Sequence, residues 1–476
     1  MYISTYFQMG TTKILTDDHE RSLVAKLPFE PTESQSRALY TLARFLASHR
    51  DRCALLIKGY AGTGKTSLMW SLVHHLKSIG KEVVLLAPTG RAAKVLALYT
   101  GRQSYTIHRY IYRRSTDSNG VSRFSLSPNK RKDVVFIVDE ASMIGNDKGV
   151  LYNGLLEDLI EHIYSGVNCR LVLLGDDAQL PPVGLLTSPA LDIDFMANEF
   201  DLTIAECVLT EVIRQSRDSS ILSLASSLRK KVFHQGKGDI TLHYKIGPEV
   251  MHISSQELAE ELESSYDDHG KESVRVICRS NRTANRYNQQ IRSQIFQLDE
   301  RLSAGELLMV VRNNYLWTSD KGHMPFLANG ELCELMYIKN QRSLYDLDFA
   351  VLGLSFPDYS NEPSIECKAI MNTLDAETPS LSESRMKQLY QDVKTDLSSE
   401  NGPSEIRSKI QQDPWFNALQ IKYGYAITCH KAQGGQWPVV FVDRGFLSED
   451  KMDKDYWRWL YTAVTRASER LYLINF

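Results

Sequence analysis

Short apolar runs, each followed by a stretch of helical periodicity, organise the first part of the chain. Cys53–Lys58, Val83–Ala87, Val134–Val138 and Arg170–Leu174 are too short for helices and too uniformly apolar for half-exposed strands. Runs of this kind form strands covered on both faces. Thr66–Ile79 is helical in pattern, with apolar Leu68, Met69, Leu72, Val73 and Leu76. Another helix opens at Pro31-Thr32-Glu33-Ser34-Gln35, where Thr32 can cap and Gln35 stands three residues on, as in a capping box. Strands alternating with helices predict a parallel sheet with helices on both faces. Residues 1–30 carry little pattern and are expected to be a partly mobile extension.

The periodicity lapses between Tyr112 and Lys132. Ser118-Asn119-Gly120 is a turn signal between Arg113–Thr116 and Val121–Phe124, predicting a β-hairpin inserted at residues 110–133 of a first domain over 31–190. A second αβ region is expected over 191–334, with core strands at Val274–Cys278 and Leu307–Val311. Short alternating strands such as Tyr345–Leu352 follow, then a polar stretch over 372–412 with a helix predicted from Ser382 to Leu397. The αβ pattern resumes at Gly424–Thr428. Residues 335–420 therefore read as an insertion, and 421–476 complete the second domain.

At 476 residues, 43% apolar and 24% charged, the composition is that of a globular chain of two or more domains. No apolar run reaches the length needed to span a membrane, and no basic segment precedes an apolar one at the N-terminus. Seven cysteines are scattered singly with no C-x-x-C pair, which argues for reduced thiols, against a zinc site, and for a cytoplasmic location. The net charge of -3 excludes little. Its distribution is more telling: Arg91–Lys132 holds ten Lys or Arg against one acid, Asp117, with Tyr99, Tyr105, Tyr110, Tyr112 and Phe124 interleaved. Basic residues mixed with aromatics suit a nucleic-acid groove. A solvated basic face would look the same from charge alone.

The chemistry is carried first by Gly59-Tyr60-Ala61-Gly62-Thr63-Gly64-Lys65-Thr66, which fits G-x-x-x-x-G-K-[ST] at every fixed position and lies between a strand and a helix. The loop from Gly62 through Thr63 and Gly64 to Ser67 turns backbone N–H groups around an anion, and the helix N-terminus adds partial positive charge. Lys65 would reach the β- and γ-phosphates of ATP, and the Thr66 hydroxyl would join a magnesium shell. The run Val134–Val138 ends in Asp139-Glu140, the second half of such a site: Asp139 for magnesium, Glu140 as general base. Gln179 follows the run ending at Leu174, at the edge of the sheet where ligands bind, and could orient water there. From spacing alone an ordinary Asp-rich turn is the better explanation.

Further segments resemble, in order, the motifs of superfamily 1 DNA helicases, subclass B, of the RecD/Dda-like group. Ala87-Pro88-Thr89-Gly90-Arg91-Ala92-Ala93 is similar to motif Ia and Thr106-Ile107-His108 to motif Ib. Asp139-Glu140 is similar to motif II and Gly175–Pro182 to motif III. Leu209–Gln215 is similar to motif IV, Tyr425–Gly434 to motif V and Tyr461–Ala467 to motif VI. The resemblance implies an α/β fold of two RecA-like parallel-sheet motor domains with a β-hairpin pin and an SH3-like β-barrel inserted. It implies that Gln35 reads adenine, that Arg214 and Arg466 reach the γ-phosphate from the second domain, and that Gln433 and Gln436 face the nucleotide. Single-stranded DNA would be held by Pro88, Thr89, Thr106, His108, Thr428, His430 and Lys431, with Phe124 of the pin at the fork. The implied activity is ATP- and Mg2+-dependent 5′–3′ translocation and unwinding of forked duplex, by a stand-alone monomer acting in DNA repair or recombination. An RNA helicase of the same superfamily and the motor subunit of a recombination nuclease complex are the alternatives. A DNA-binding scaffold with a dead nucleotide site is opposed by the intact Lys65, Glu140 and Arg466.

Overall fold

The computed structural model describes residues 2–116, 122–146, 154–213, 218–233, 242–318, 326–359, 363–398, 403–445 and 452–476. It opens on a helix, α1 (Tyr2–Ala25), where the sequence led us to expect a pattern-poor extension. The helix escaped notice because its apolar residues do not gather on one face. It is nonetheless docked: Leu23 is buried, its carbonyl accepts from Ser71 Oγ at 2.6 Å, and His19 meets His75 at 2.9 Å.

The first domain continues with α2 (Glu33–Ala47), β1 (Cys53–Gly59), α3 (Lys65–Ser78), β2 (Val83–Ala87), α4 (Gly90–Thr100), β3 (Ser104–Thr106) and α5 (Ile107–Ile111). A hairpin follows, β4 (Tyr112–Thr116) and β5 (Ser122–Leu126), then β6 (Val135–Val138), α6 (Leu155–Tyr164), β7 (Arg170–Gly175), α7 (Ile193–Phe200) and β8 (Thr203–Leu209). The sheet runs β3-β2-β6-β7-β1-β8, all parallel. Successive residues of β1 enter opposite layers, Leu55 and Ile57 one core, Ala54 and Leu56 the other. This is why these runs read as uniformly apolar.

Two boundaries differ from expectation. β8 was expected in the second domain but pairs with β1, so the first sheet extends beyond residue 190. It is an edge strand, half open to solvent and carrying Glu206, so it lacks the uniform apolar signature of its neighbours. The predicted hairpin is present, with Arg114 paired to Phe124; its turn, Ser118–Gly120, and the Phe124 side chain lie outside the described residues.

The second domain contains α8 (Ser220–Phe233), β9 (Val250–Ile253), α9 (Leu258–His269), β10 (Val274–Cys278) and α10 (Asn281–Gln290). The chain then enters a closed barrel of β11 (Leu307–Val310), β12 (Leu332–Leu344), β13 (Leu347–Ser355), β14 (Ile365–Ile370) and, after α11 (Asn372–Asp375), α12 (Glu383–Ser398) and α13 (Pro403–Gln412), β15 (Leu419–Tyr423). It returns through β16 (Ala426–Thr428), α14 (Cys429–Ala432), β17 (Trp437–Asp443), α15 (Lys454–Val464) and β18 (Ala467–Ile474) into a parallel sheet of order β16-β10-β17-β18-β9. Here the second boundary shifts. Leu307–Val311, expected as a core strand of the αβ sheet, opens the barrel as β11, so the insertion starts before residue 335 and ends at Tyr423. Its residues are buried on both faces, which a sequence cannot tell from a parallel strand.

The predicted helix in the polar stretch is α12. With α13 it covers the barrel through Leu389, Val393, Ile406 and Ile410, packed on Leu347, Phe349 and Ile370.

Candidate nucleotide site and nucleic-acid groove

The phosphate loop leaves β1 at Gly59 and enters α3 at Lys65. Gly62 and Gly64 sit at φ of +73° and +84°, where L side chains are strained. A Cβ on Gly64 would lie 2.5 Å from Gln35 Nε2, and one on Gly59 2.9 Å from Lys65 Cγ. Lys65 Nζ donates to the carbonyls of Gly59 at 2.5 Å and Tyr60 at 3.1 Å. Thr63 is buried and ties back to the Tyr60 carbonyl at 2.8 Å; Thr66 and Ser67 follow in the first turn of α3.

Gln35 is brought to this loop. The capping box is complete, with Thr32 N donating to Gln35 Oε1 at 2.9 Å, while Gln35 Nε2 donates to the Thr63 carbonyl at 3.0 Å. Glu211, from the motif IV segment, accepts from both Ser34 N and Ser34 Oγ at 2.9 Å, and Ile213 N donates to the Gly62 carbonyl at 3.0 Å. Arg214 itself lies outside the described residues.

Asp139 and Glu140 leave β6 at the same edge of the sheet. Burial and the neighbouring Glu140 carboxylate push the Asp139 carboxyl up, against the pull of Lys65. Glu140 sits at φ +52° and donates its N–H to Asp139 Oδ1 at 2.9 Å. A non-glycine residue held in the left-handed region stores strain, which concentrates at functional positions. The glycine cradle, an acid short of positive charge and Lys65 form a donor set that fits a magnesium-bound triphosphate.

The second domain meets this edge through α15. The Tyr461 hydroxyl accepts from Ala61 N at 2.9 Å and donates to Asp176 Oδ2 at 2.6 Å. Thr462 Oγ1 accepts from Leu180 N at 2.9 Å, and Arg458 donates to the Leu186 carbonyl at 2.6 Å. The motif VI resemblance includes Tyr461 and Thr462 without giving them this role, and Arg458, one turn earlier on the same helix, is not singled out by it. Arg466 is buried and donates within its own domain, to Thr462 O at 3.0 Å, Gly435 O at 3.3 Å and Thr465 Oγ1 at 3.1 Å. Gln179 is buried, its Oε1 without a hydrogen-bond partner, and lines a cavity of about 440 Å3 with Lys58, Asp177 and Arg458.

The expected strand contacts collect elsewhere. A cleft of about 950 Å3 is lined on one side by Pro88, Thr89, Thr106 and His108, and on the other by the barrel and its helical cover. Thr89 and Thr106 cap α4 and α5, each accepting a backbone N–H at 3.2 Å. Burial pushes His108 down to about 4, so near neutral pH it offers an uncharged N–H. His430 and Lys431 line a smaller adjoining cavity that shares Thr89 and Asn329 with the cleft. Burial and the Lys422 charge lower Lys431 to about 8. Thr428 shares a third, smaller recess with Lys431 and Lys422. Gln433, expected at the nucleotide, is grouped here: it lines the cavity with Thr89 and Lys431 and donates to the Leu180 carbonyl at 2.7 Å. Gln436 is exposed, and its carbonyl accepts from Arg91 at 2.6 Å.

These features match known proteins. Residues 32–237 match the family described as AAA domain, and residues 423–474 the UvrD-like helicase C-terminal domain. The ATP-dependent RecD2 DNA helicase of Deinococcus radiodurans is 34% identical over 185 residues, 38% of this chain and 22% of that protein. The ATP-dependent DNA helicase dda of Enterobacteria phage T4 is 25% identical over 293 residues, 59% of this chain and 60% of that protein. The chain thus spans less than two thirds of the length of either relative. A solved structure of Pif1 helicases on forked double-stranded DNA is 15% identical, with a TM-score of 0.46 over 94% of this chain and 92% of that one. Among the described residues no helix is long and apolar enough to cross a membrane.

A phosphate loop with its acidic partner on one parallel sheet, and a second parallel sheet docked across its edge, define a tandem phosphate-loop fold. Over the matched segments the chain is similar to RecD2 and Dda helicases.

Proposed function

We propose that this chain hydrolyses ATP to move 5′–3′ along single-stranded DNA, acting as a monomer, and to part the duplex ahead of it. The observation that carries the reading is the cleft between the first domain and the barrel: it gathers Pro88, Thr89, Thr106 and His108, drawn from two separate segments, on one wall. Hydroxyls and an imidazole contact phosphates without reading sequence, as a translocating motor requires.

In this reading Lys65 and the amides of the phosphate loop hold the triphosphate, with Gln35 beside the adenine. Thr66 and Asp139 hold magnesium, which neutralises charge on the phosphates when bound. Glu140 takes the proton from the attacking water. Arg466, with Arg214, stabilises the transferring group once the domains close, a contribution worth about 10³–10⁵ in rate. Because Tyr461, Thr462 and Arg458 already reach across the seam, closing and opening at the nucleotide shifts the two halves of the cleft relative to each other. The 5′–3′ direction rests on the family resemblance.

The test is unwinding of forked duplexes carrying a single 5′ or 3′ tail, with matched RNA tails as comparison. Unwinding restricted to the 5′-tailed DNA supports the reading. Strand separation only from a 3′ tail, or preference for RNA, overturns it.

A further inference from the structure

The cleft has two unlike walls, and the second is not part of the motif set. The first-domain wall presents the Thr89 and Thr106 hydroxyls, His108 and Arg109, with Met143 and Leu155 beside them. Facing it, among polar groups such as Arg312 and Asn313, are the rings of Tyr315 and Phe326 from the β11–β12 connection, Met386 from α12 and Phe416 from the turn after α13. The Tyr315 and Phe326 rings lie 5.1 Å apart at 33°, and Phe416 meets Tyr390 edge-on at 5.8 Å. Phe416 is half-buried, so part of its ring stays open to the cleft.

This wall is built, not incidental. Asp413 Oδ1 accepts from the backbone N–H of Trp415 at 2.9 Å and of Phe416 at 2.7 Å, fixing the turn that carries the ring. Asn417 then donates to the carbonyls of Ile410 at 3.3 Å, Gln411 at 3.1 Å and Asp413 at 2.9 Å. Its own carbonyl accepts from Asn314 Nδ2 at 2.7 Å and Trp317 Nε1 at 2.9 Å. The segment holding Tyr315 and the turn holding Phe416 are thereby tied into one surface. A platform ordered in advance loses little freedom on binding.

We propose that this wall, completed by the helical insertion, is a base-stacking platform for single-stranded DNA, with Phe416 as its principal ring. The inference rests on the proposed function above. A strand in the cleft has its phosphates against the hydroxyls and His108 and its bases against the rings, the division of labour that lets a groove hold any sequence. The polar stretch over 372–412 thus supplies part of the groove through Met386.

The experiment measures equilibrium binding of the full chain to a labelled oligothymidine and to an abasic strand of equal length, by fluorescence anisotropy. Wild type should favour the oligothymidine. Phe416→Ala and Phe416→Leu should each weaken oligothymidine binding by roughly tenfold, as expected for one lost stacking contact, and leave abasic binding unchanged. Equal weakening on both strands would mean that Phe416 only holds the turn, and the platform would be rejected. Equal wild-type affinity for the two strands would also reject it. Failure of the wild type to bind either strand would remove the proposed function itself.

Discussion

Tyr461 of the second domain touches Ala61 of the phosphate loop: its hydroxyl accepts the Ala61 N–H at 2.9 Å while donating to Asp176 at 2.6 Å. One fully buried oxygen therefore joins the nucleotide loop, the turn after β7 and the helix that leads to Arg466. Tyr461→Phe keeps the ring and removes the oxygen, leaving a half-buried N–H and a buried carboxylate oxygen to find other partners. The expected cost is about 1–3 kcal/mol, visible as a lowered melting temperature. DNA-stimulated ATP turnover should fall more than turnover without DNA. Unchanged stimulation would show that the seam does not run through this hydroxyl.

In the proposed reading, Lys65 and Arg466 divide the nucleotide chemistry between domains. Lys65→Ala should abolish ATP hydrolysis, and retained turnover would displace the site. Arg466→Lys preserves charge but loses the planar fork. It should leave nucleotide binding within a few-fold while lowering turnover by about 10³ or more. Binding of a fluorescent ATP analogue and steady-state phosphate release separate the two effects.

Arg292 and Glu306 form an ion pair at 2.5 Å with side chains only 4% and 1% exposed. It ties the turn after α10 to the approach to the barrel. Glu306→Ala strands a buried guanidinium, and such losses cost about 3–5 kcal/mol. Thermal or urea unfolding should show the loss, with Phe416→Ala as a control that shifts far less.

His75 packs α1 against α3 through Ser22 at 2.8 Å and His19 at 2.9 Å. Burial and the neighbouring His19 lower it from 6.5 to about 4. Its folded state thus holds fewer protons than the unfolded chain between those values, so stability falls as pH drops from about 6.5 towards 4. Melting temperatures at pH 7 and pH 5 should separate for the wild type and separate less for His75→Gln, the remainder coming from groups such as His108. An identical drop in both would assign the pH dependence to other groups.

The nucleotide half of the molecule was legible because local rules suffice there. The phosphate loop needs glycines at fixed spacing, and Gln35 announced itself through a capping box that the structure completes. Uniform apolar runs marked β1, β2, β6 and β7, which are covered on both faces. What escaped depends on distant partners. β8 is an edge strand whose residues alternate with solvent, and β11 has the texture of a sheet strand although it closes a barrel. Nothing local to Tyr461 shows that its hydroxyl meets Ala61, 400 positions away. Phe416 is one aromatic among many until the turn around Asp413 aims it.

The barrel does not hang from a tether. β15 runs through Gly424 directly into β16, Gly424 N donates to the Leu307 carbonyl at 2.8 Å, and the Tyr425 hydroxyl accepts from Leu307 N at 3.2 Å. Val276 and Phe441 of the second sheet share one core with Leu308, Leu335 and Leu352 of the barrel. Sheet and barrel are consequently a single stiff outrigger. A small tilt at the seam beside Tyr461 is magnified along its length, as at the far end of an oar, and delivered at the wall that carries Phe416.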